Sequence, residues 1–354
     1  MSAKGLNEFT KAEWVVRFED QPLQVAPDQP LTLDRLRPGD ELGVARLYHA
    51  VYGGDYPFDD YYVPERILAL NQALQLCSVV CRTPEGAIVG HGALYRGSAP
   101  YAGLYEIGQY LVLPSYRRRG IADLIDAYIH GTLAGQIPAD AIYGEAVTNH
   151  TVTQTFDLQA GMTDYALELS LLPPGQGRAG ASGRVACLVQ SKTLRDRPHR
   201  VHLPAPYRED LEFLLADRDF QRDFAAASSR PPDTGETVWQ VQRFPGTGTS
   251  RWLFPTVGRD FPLRLHELET TAQAEGSLTL QVFLNLGQET LGSAVEQLRQ
   301  AGWILGGYLP RWFDSDALLL QKIQDQPDFA AIQLCSDKAR GLLKRVRAEF
   351  LRLS

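Results

Sequence analysis

The chain has 354 residues, 44% of them hydrophobic, enough to bury a sizeable core, and its length favours two domains. A formal net charge of −7 argues against nonspecific nucleic-acid binding, which depends on Lys and Arg neutralising phosphates. No apolar run reaches signal-peptide length at the start, or the roughly 18 residues that cross a bilayer, so the sequence reads as cytoplasmic with no membrane partner.

The first thirty residues carry no clear pattern and read as an extension, and residues 31–36 make a short strand candidate. Pro38-Gly39-Asp40 reads as a helix start, with Leu42, Ala45, Leu47 and Val51 along a helix that stops near Gly53-Gly54. A second helix follows Pro64. Between them lies Asp55-Tyr56-Pro57-Phe58-Asp59-Asp60-Tyr61-Tyr62, which by itself reads as a polar surface loop with a few anchoring aromatics. Residues 76–82 and 87–95 are strand-like runs separated by Thr83-Pro84-Glu85-Gly86, whose Pro and Gly make a turn, so the pair is a hairpin. Four cysteines (Cys77, Cys81, Cys187, Cys335) are too few for a disulfide framework and read as buried reduced thiols.

Residues 106–128 are the most informative stretch: an apolar strand, a basic turn with a glycine, then a periodic helix marked by Ile121, Leu124, Ile125 and Tyr128. A helix opening on Arg117, Arg118, Arg119, Gly120 and Ile121 aims unpaired N–H groups and its dipole at one spot, which suits phosphate. Gly120 admits a positive φ, and the arginines add charge-assisted hydrogen bonds. The other reading of the turn is a basic surface cap on an ordinary amphipathic helix.

Arg117-x-x-Gly120-x-Ala122 after Leu111, Val112, Leu113 and Pro114 resembles the coenzyme A pyrophosphate motif of the GNAT N-acetyltransferase superfamily. The order so far, one strand, two helices and a three-stranded meander, matches that family. The resemblance implies an α+β fold, a mixed and mostly antiparallel twisted sheet flanked by helices. It also implies acetyl-CoA as acyl donor, held by Leu111, Val112, Leu113, Arg117, Arg118, Arg119, Gly120, Ile121 and Ala122, and no metal. In the family the connection between the first two helices lines the acceptor site, so the resemblance makes Asp55, Tyr56 and Asp59 candidates for holding a small-molecule or peptide amine.

Attack on a thioester needs a neutral amine, so something must take the ammonium proton. Glu106 stands six residues before Val112, which strand alternation puts on the same face, and eleven before Arg117. Histone-acetylating members of the family carry a glutamate base at that offset. A partly desolvated carboxylate can serve directly or through water, contributing roughly 10²–10⁴-fold. The alternative is a glutamate hydrogen-bonded for structural reasons.

Residues 142–148 are the next apolar run, and Asn149-His150-Thr151 can cap a helix ending at Gly161. In the family an Asn here contacts the pantetheine arm and an aromatic seven residues later, usually Tyr, sits near the sulfur. Asn149 and Phe156 keep that spacing, with Gly161-Met162 one residue late. Phe156 offers no hydroxyl to reprotonate a departing thiolate, which leaves water, another phenol such as Tyr143 or Tyr165, or no acid. It also keeps open a second function class, an acyl-CoA-binding sensor without catalysis.

Residues 173–183 are too rich in Pro and Gly for regular structure, and residues 185–193 return as a strand. The domain boundary is expected near Arg195, giving a GNAT domain over 1–195 and a second α/β domain over 196–354. The second half echoes the first: Gln300-Ala301-Gly302-Trp303 and the run 304–309 parallel Gln159-Ala160-Gly161-Met162 and the run 165–172, and residues 317–323 mirror 185–193. Residues 262–272 can be the helix matching the one at Ile121, yet no Arg-x-x-Gly-x-Ala precedes it. A degenerate GNAT-like domain is therefore expected, the alternative being a chance echo. The basic residues on the last helix read as a solvated face, and the seven histidines, including His199-x-x-His202, form no metal-ligand spacing.

Overall fold

In the computed structural model residues 9–175, 183–216 and 220–353 are described; residues 176–182 of the expected loop lie outside them. The chain divides into two compact units, one of residues 1–97 and 105–139, the other of residues 98–104 and 140–354.

The first unit opens on a helix, α1 (Lys11–Asp20), where the sequence reading has a patternless extension. A capping box starts it: Glu13 N–H donates to the Thr10 hydroxyl and Thr10 N–H donates to the Glu13 carboxylate at 2.8 Å. One face buries Trp14 and Phe18, stacked at 5.3 Å. Next come β1 (Thr32–Arg35), α2 (Glu41–Tyr52), α3 (Pro64–Gln72), β2 (Leu76–Arg82), β3 (Ile88–Tyr95) and β4 (Leu104–Val112), whose first residue belongs to the other unit. Strands β2, β3 and β4 form the expected antiparallel meander, and β1 adds to it antiparallel beside β2.

Helix α2 lies on one face of this meander, where the Tyr48 ring meets His91 at 5.7 Å. On the other face lies α4 (Ile121–Tyr128), which passes through a π turn (Ile129–Leu133) into α5 (Ala134–Gln136). Gly92 lets α4 approach, since a Cβ there would lie 2.5 Å from Ile125.

The second unit begins with β5 (Ala141–Val147), α6 (Val152–Gln159), β6 (Thr163–Leu172) and β7 (Val185–Thr193). It continues with β8 (His199–Leu203), α7 (Arg208–Leu215), β9 (Arg222–Ala226), β10 (Val238–Phe244), β11 (Thr249–Thr256) and α8 (Phe261–Ala274). It closes with β12 (Thr279–Asn285), α9 (Gly292–Gln300), β13 (Ile304–Leu309), β14 (Ala317–Ile323) and α10 (Asp337–Leu353). Two antiparallel blocks of the same order, β5-β7-β6 and β12-β14-β13, meet where β6 pairs with β13 at Ala166 and Gly307.

The Gln-Ala-Gly echo is geometric as well as textual. Gly161 and Gly302 end α6 and α9 at φ 81° and 87°, and the next residue closes each helix by donating to Asp157 or Leu298. A strand irregularity then follows each glycine, between Asp164 and Ala166 in β6 and between Leu305 and Gly307 in β13. The two blocks of the second unit thus share strand order and helix-end geometry.

The compact units do not part near Arg195. Tyr165, Leu167 and Leu169 of β6 share one core with Val282, Leu320 and Leu342, so cutting at residue 195 would run through a hydrophobic core. Of the cysteines, Cys77, Cys81 and Cys187 are buried and Cys335 is half-buried. Among the described residues no helix is long and apolar enough to cross a membrane.

Candidate functional site

Strand β4 leads through Pro114–Tyr116, a single 3₁₀ turn, into the arginine turn. Tyr116 anchors this turn, its buried hydroxyl donating to the Ala26 carbonyl. Arg118 and Gly120 both take left-handed backbone, at φ 65° and 71°, so the chain reverses tightly before α4. The first helical bond runs from Leu124 N–H to the Gly120 carbonyl, and the N–H groups of Ile121, Ala122 and Asp123 project from the helix start. Arg117, Arg118, Arg119 and Gly120 are all exposed, and a Cβ at Gly120 would meet only Asp123, at 3.8 Å. Arg119 is braced by Asp28 at 2.6 Å and by the Tyr116 ring at 4.9 Å, while Arg117 Nε donates to the Val112 carbonyl at 3.3 Å. This is an open, cationic helix start able to take a phosphate, with Leu111 and Leu113 buried behind it.

The alternation expected from Glu106 to Val112 is interrupted. Gln109 has φ 60°, and the β3–β4 register slips there, Ala93 facing Gly108 and His91 facing Leu111, so Gln109 and Tyr110 stand opposite Gly92 alone. The bulge reverses parity. Glu106 pairs with Tyr95 on the α2 face and accepts its hydroxyl, whereas Val112 pairs with Gly90, which faces Ile121 of α4. Tyr110 points to the α4 side too, donating to Asp126 at 2.6 Å.

Gln109 joins Glu106 on the α2 face because of this bulge. Its Oε1 accepts from Tyr48 at 2.6 Å and Tyr56 at 2.8 Å. Its carbonyl takes a hydrogen bond from His91 Nδ1 at 2.9 Å, and His91 Nε2 meets the Ser78 hydroxyl at 3.0 Å. Burial pushes the His91 pKa down to about 4, so the ring is neutral at pH 7, donating through Nδ1 and accepting through Nε2. Around Tyr56 the rings of Tyr48, Tyr52, Phe58 and Tyr61 lie at centroid distances of 5.0, 5.0, 5.8 and 5.5 Å. Burial raises the Tyr52 phenol pKa while the Arg117 charge pulls it back, so this cluster lies within reach of the arginine turn.

Of the expected acceptor residues, Tyr56 is at the centre of the rings and Asp55 is exposed at their edge. Asp59 is engaged elsewhere, paired with Lys11 of α1 at 3.2 Å; that ammonium also donates to the Tyr56 carbonyl and lies 4.8 Å from the Tyr62 ring centre. Sequence reasoning missed Tyr48, Tyr52, Tyr95 and Gln109. The signal for the first two was their spacing, four apart on α2.

Asn149 and Phe156 belong to the second unit, and both are half-buried. Asn149 lies in a crevice lined also by Ala186, Pro327 and Ile332. There Gln333 N–H donates to the Thr148 carbonyl at 2.7 Å, and buried Gln154 of α6 donates to the Gln333 carbonyl at 2.9 Å. Tyr143 is buried against Trp312 at 5.1 Å and accepts from Ser98 N–H, and Tyr165 lines a cavity of about 310 Å³ with Lys192, Asp196 and Phe220. Both phenols are packed into the second unit's own core.

The start of α8 is closed. Asp260, at the start of α8, accepts from Thr237 N–H at 2.7 Å, and Gly258 N–H donates to the Thr237 hydroxyl. A Cβ at Gly258 would fall 2.4 Å from the Glu236 backbone. A carboxylate and a crossing chain therefore occupy the start of α8, whereas the start of α4 is open. The strands flanking this helix, β11 and β12, are zipped in parallel from Thr249 to Phe254 with no gap. On the face opposite α8, Arg251 is buried among Glu145, Glu168, Gln281 and Ser98, at 2.6–3.1 Å.

No family model and no curated protein matches the chain. Among solved structures it is similar to the ribosomal-protein-S18-alanine N-acetyltransferase of Escherichia coli, at 13% identity and TM-score 0.36, over 48% of this chain and 96% of that one. An aminoglycoside 6'-N-acetyltransferase complexed with coenzyme A matches at 14% identity and TM-score 0.34, over 47% and 99%. A GNAT family acetyltransferase from Brucella melitensis in complex with acetyl-CoA matches at 22% identity and TM-score 0.28, over 33% and 76%. These are likenesses of fold, each spanning a third to a half of this chain. The fold is an α+β arrangement, an antiparallel sheet in the first unit and a mixed, mostly antiparallel one in the second, flanked by helices.

Proposed function

We propose that the chain is an acyl-CoA-dependent N-acyltransferase, with acetyl-CoA as donor and a primary amine as acceptor. The observation that carries this reading is the open arginine turn, with left-handed Arg118 and Gly120, at the end of the strand that also holds Glu106. The exposed N–H groups at the start of α4, with Arg117 and Arg118, would hold the pyrophosphate of the donor substrate. Glu106 would take the proton of the acceptor ammonium. The nitrogen lone pair then forms the new C–N bond as the C–S bond breaks, and the sulfur leaves with the C–S electron pair and takes up the remaining proton of the attacking nitrogen, giving the amide and free thiol. Tyr95, donating to Glu106, orients the carboxylate.

The test is acetyl-CoA binding by calorimetry, with the native chain and Gly120→Glu, which puts a side chain and a negative charge at a left-handed residue. Binding should be lost in the variant with its circular dichroism unchanged. Equal affinity in both proteins removes the reading. Free-thiol release with an amine panel then separates an enzyme from a sensor that binds the donor without turnover.

A further inference from the structure

We propose that the second unit carries a binding site for a small carboxylate with an aromatic body, in the cavity between the end of β7, the end of α6 and Phe220. The site goes beyond the acyltransferase reading and uses none of its residues.

The cavity exists because β7 outruns its neighbour. Thr163, the first residue of β6, pairs with Ser191, so Lys192 and Thr193 have Ile142 and Ala141 of β5 on one side and no β6 on the other. Leu194 N–H donates to the Asp140 carbonyl at 2.8 Å, and antiparallel alternation then turns the Thr193 N–H away from β5, into the space that β6 leaves. That space measures about 310 Å³ and is lined by Gly161, Tyr165, Lys192, Thr193, Asp196 and Phe220. Small-molecule sites begin at roughly this size.

Its unspent polar groups are donors. Lys192 donates to the Ala160 carbonyl at 2.7 Å, which fixes the ammonium at the end of α6 and leaves two of its N–H groups over. Among the described residues no carboxylate pairs with it. The buried Thr193 Oγ1 has no hydrogen-bond partner either. A cation beside a spare hydroxyl and a spare backbone N–H suits a carboxylate, which accepts from all three kinds of donor. Asp196 is committed elsewhere, taking Arg222 at 2.6 Å and Gln221 N–H at 2.8 Å, so its charge is offset within the wall.

The remaining wall is aromatic. The rings of Tyr165 and Phe220 lie stacked at 6.2 Å and 30°, with Arg222 held 4.8 Å from the Phe220 ring centre. These rings give a planar apolar body a surface to pack on, while the donors hold its acid group.

The experiment is calorimetric titration of 3-phenylpropionate into the full chain, beside 3-phenylpropanamide, which lacks the charge, and propionate, which lacks the ring. Phenylpropionate should bind about tenfold or more tightly than either. Lys192→Met should weaken it by a similar factor with circular dichroism unchanged. Thr193→Val keeps the shape and removes a hydroxyl that bonds nothing, so its urea midpoint should stay native while phenylpropionate binding falls about threefold or more. Absence of phenylpropionate binding, equal binding of the amide or of propionate, or native affinity in both variants would overturn the proposal. Should Lys192→Met fail to fold, the Thr193→Val titration decides alone.

Discussion

The imidazole of His91 holds the carbonyl of Gln109 at 2.9 Å, at the bulge which turns Gln109 toward the same face as Glu106. Because the ring is buried and its pKa is lowered from 6.5 to about 4, the unfolded chain takes up a proton that the folded one refuses. The contribution is complete above pH 6.5 and is lost as pH falls from 6.5 toward 4, on the order of 3 kcal/mol for a gap of about 2.5 pKa units. His91→Gln keeps a donor for Gln109 and does not titrate. Urea midpoints at pH 7 and pH 4.5 should differ less for this variant than for the native chain; equal differences would mean that His91 does not govern the acid response.

Glu106→Gln preserves the bond from Tyr95 but removes basicity. Turnover should fall by roughly 10²–10⁴-fold with little change in acyl-CoA affinity, and raising the pH should recover part of it because more of the acceptor is already neutral. Native turnover with an unchanged pH profile in the variant would place the base elsewhere.

One donor should bind per chain. The start of α8 is filled by Asp260 and the Glu236–Thr237 backbone, and β11 is zipped to β12. Calorimetry should give a stoichiometry near one; a value of two, or density for coenzyme A at the start of α8, would contradict the closed-site description.

Arg251 is 5% exposed and neutralises Glu145 and Glu168 at 2.9 and 3.1 Å. Arg251→Met leaves buried carboxylates without their cation, and denaturant unfolding should show a loss of about 3–5 kcal/mol. Adding Glu168→Gln should return part of it. A single variant as stable as the native chain would mean that the network is solvated in solution.

Much of the fold was legible because period and punctuation are local. The hairpin at Thr83–Gly86, the arginine turn and the echo at Gly161 and Gly302 each rest on residues adjacent in sequence. α1 was legible too, in the Thr10 and Glu13 capping box, but a single box before a short amphipathic run is easily passed over. The bulge was not. Gln109 adopts a left-handed φ without being a glycine, so no residue type announces it, and it inverts the face of every later residue of β4. The ring cluster was hidden for another reason: Tyr48 and Tyr56 reach Gln109 across 61 and 53 positions. The expected boundary at residue 195 failed because β6 shares its core with Val282, Leu320 and Leu342 and pairs with β13 at Ala166 and Gly307, contacts that no periodicity reports.

That join gives the second block an occupation unrelated to chemistry. A Cβ on Gly307 would fall 2.2 Å from the Tyr165 carbonyl, so the two blocks touch backbone to backbone, and each hides the open edge of the other. The block that carries β13 is required as a cover on β6. Substitutions along β13 should therefore surface as insoluble protein and low yield rather than as altered kinetics, and selection there would act through the backbone, one glycine at a time.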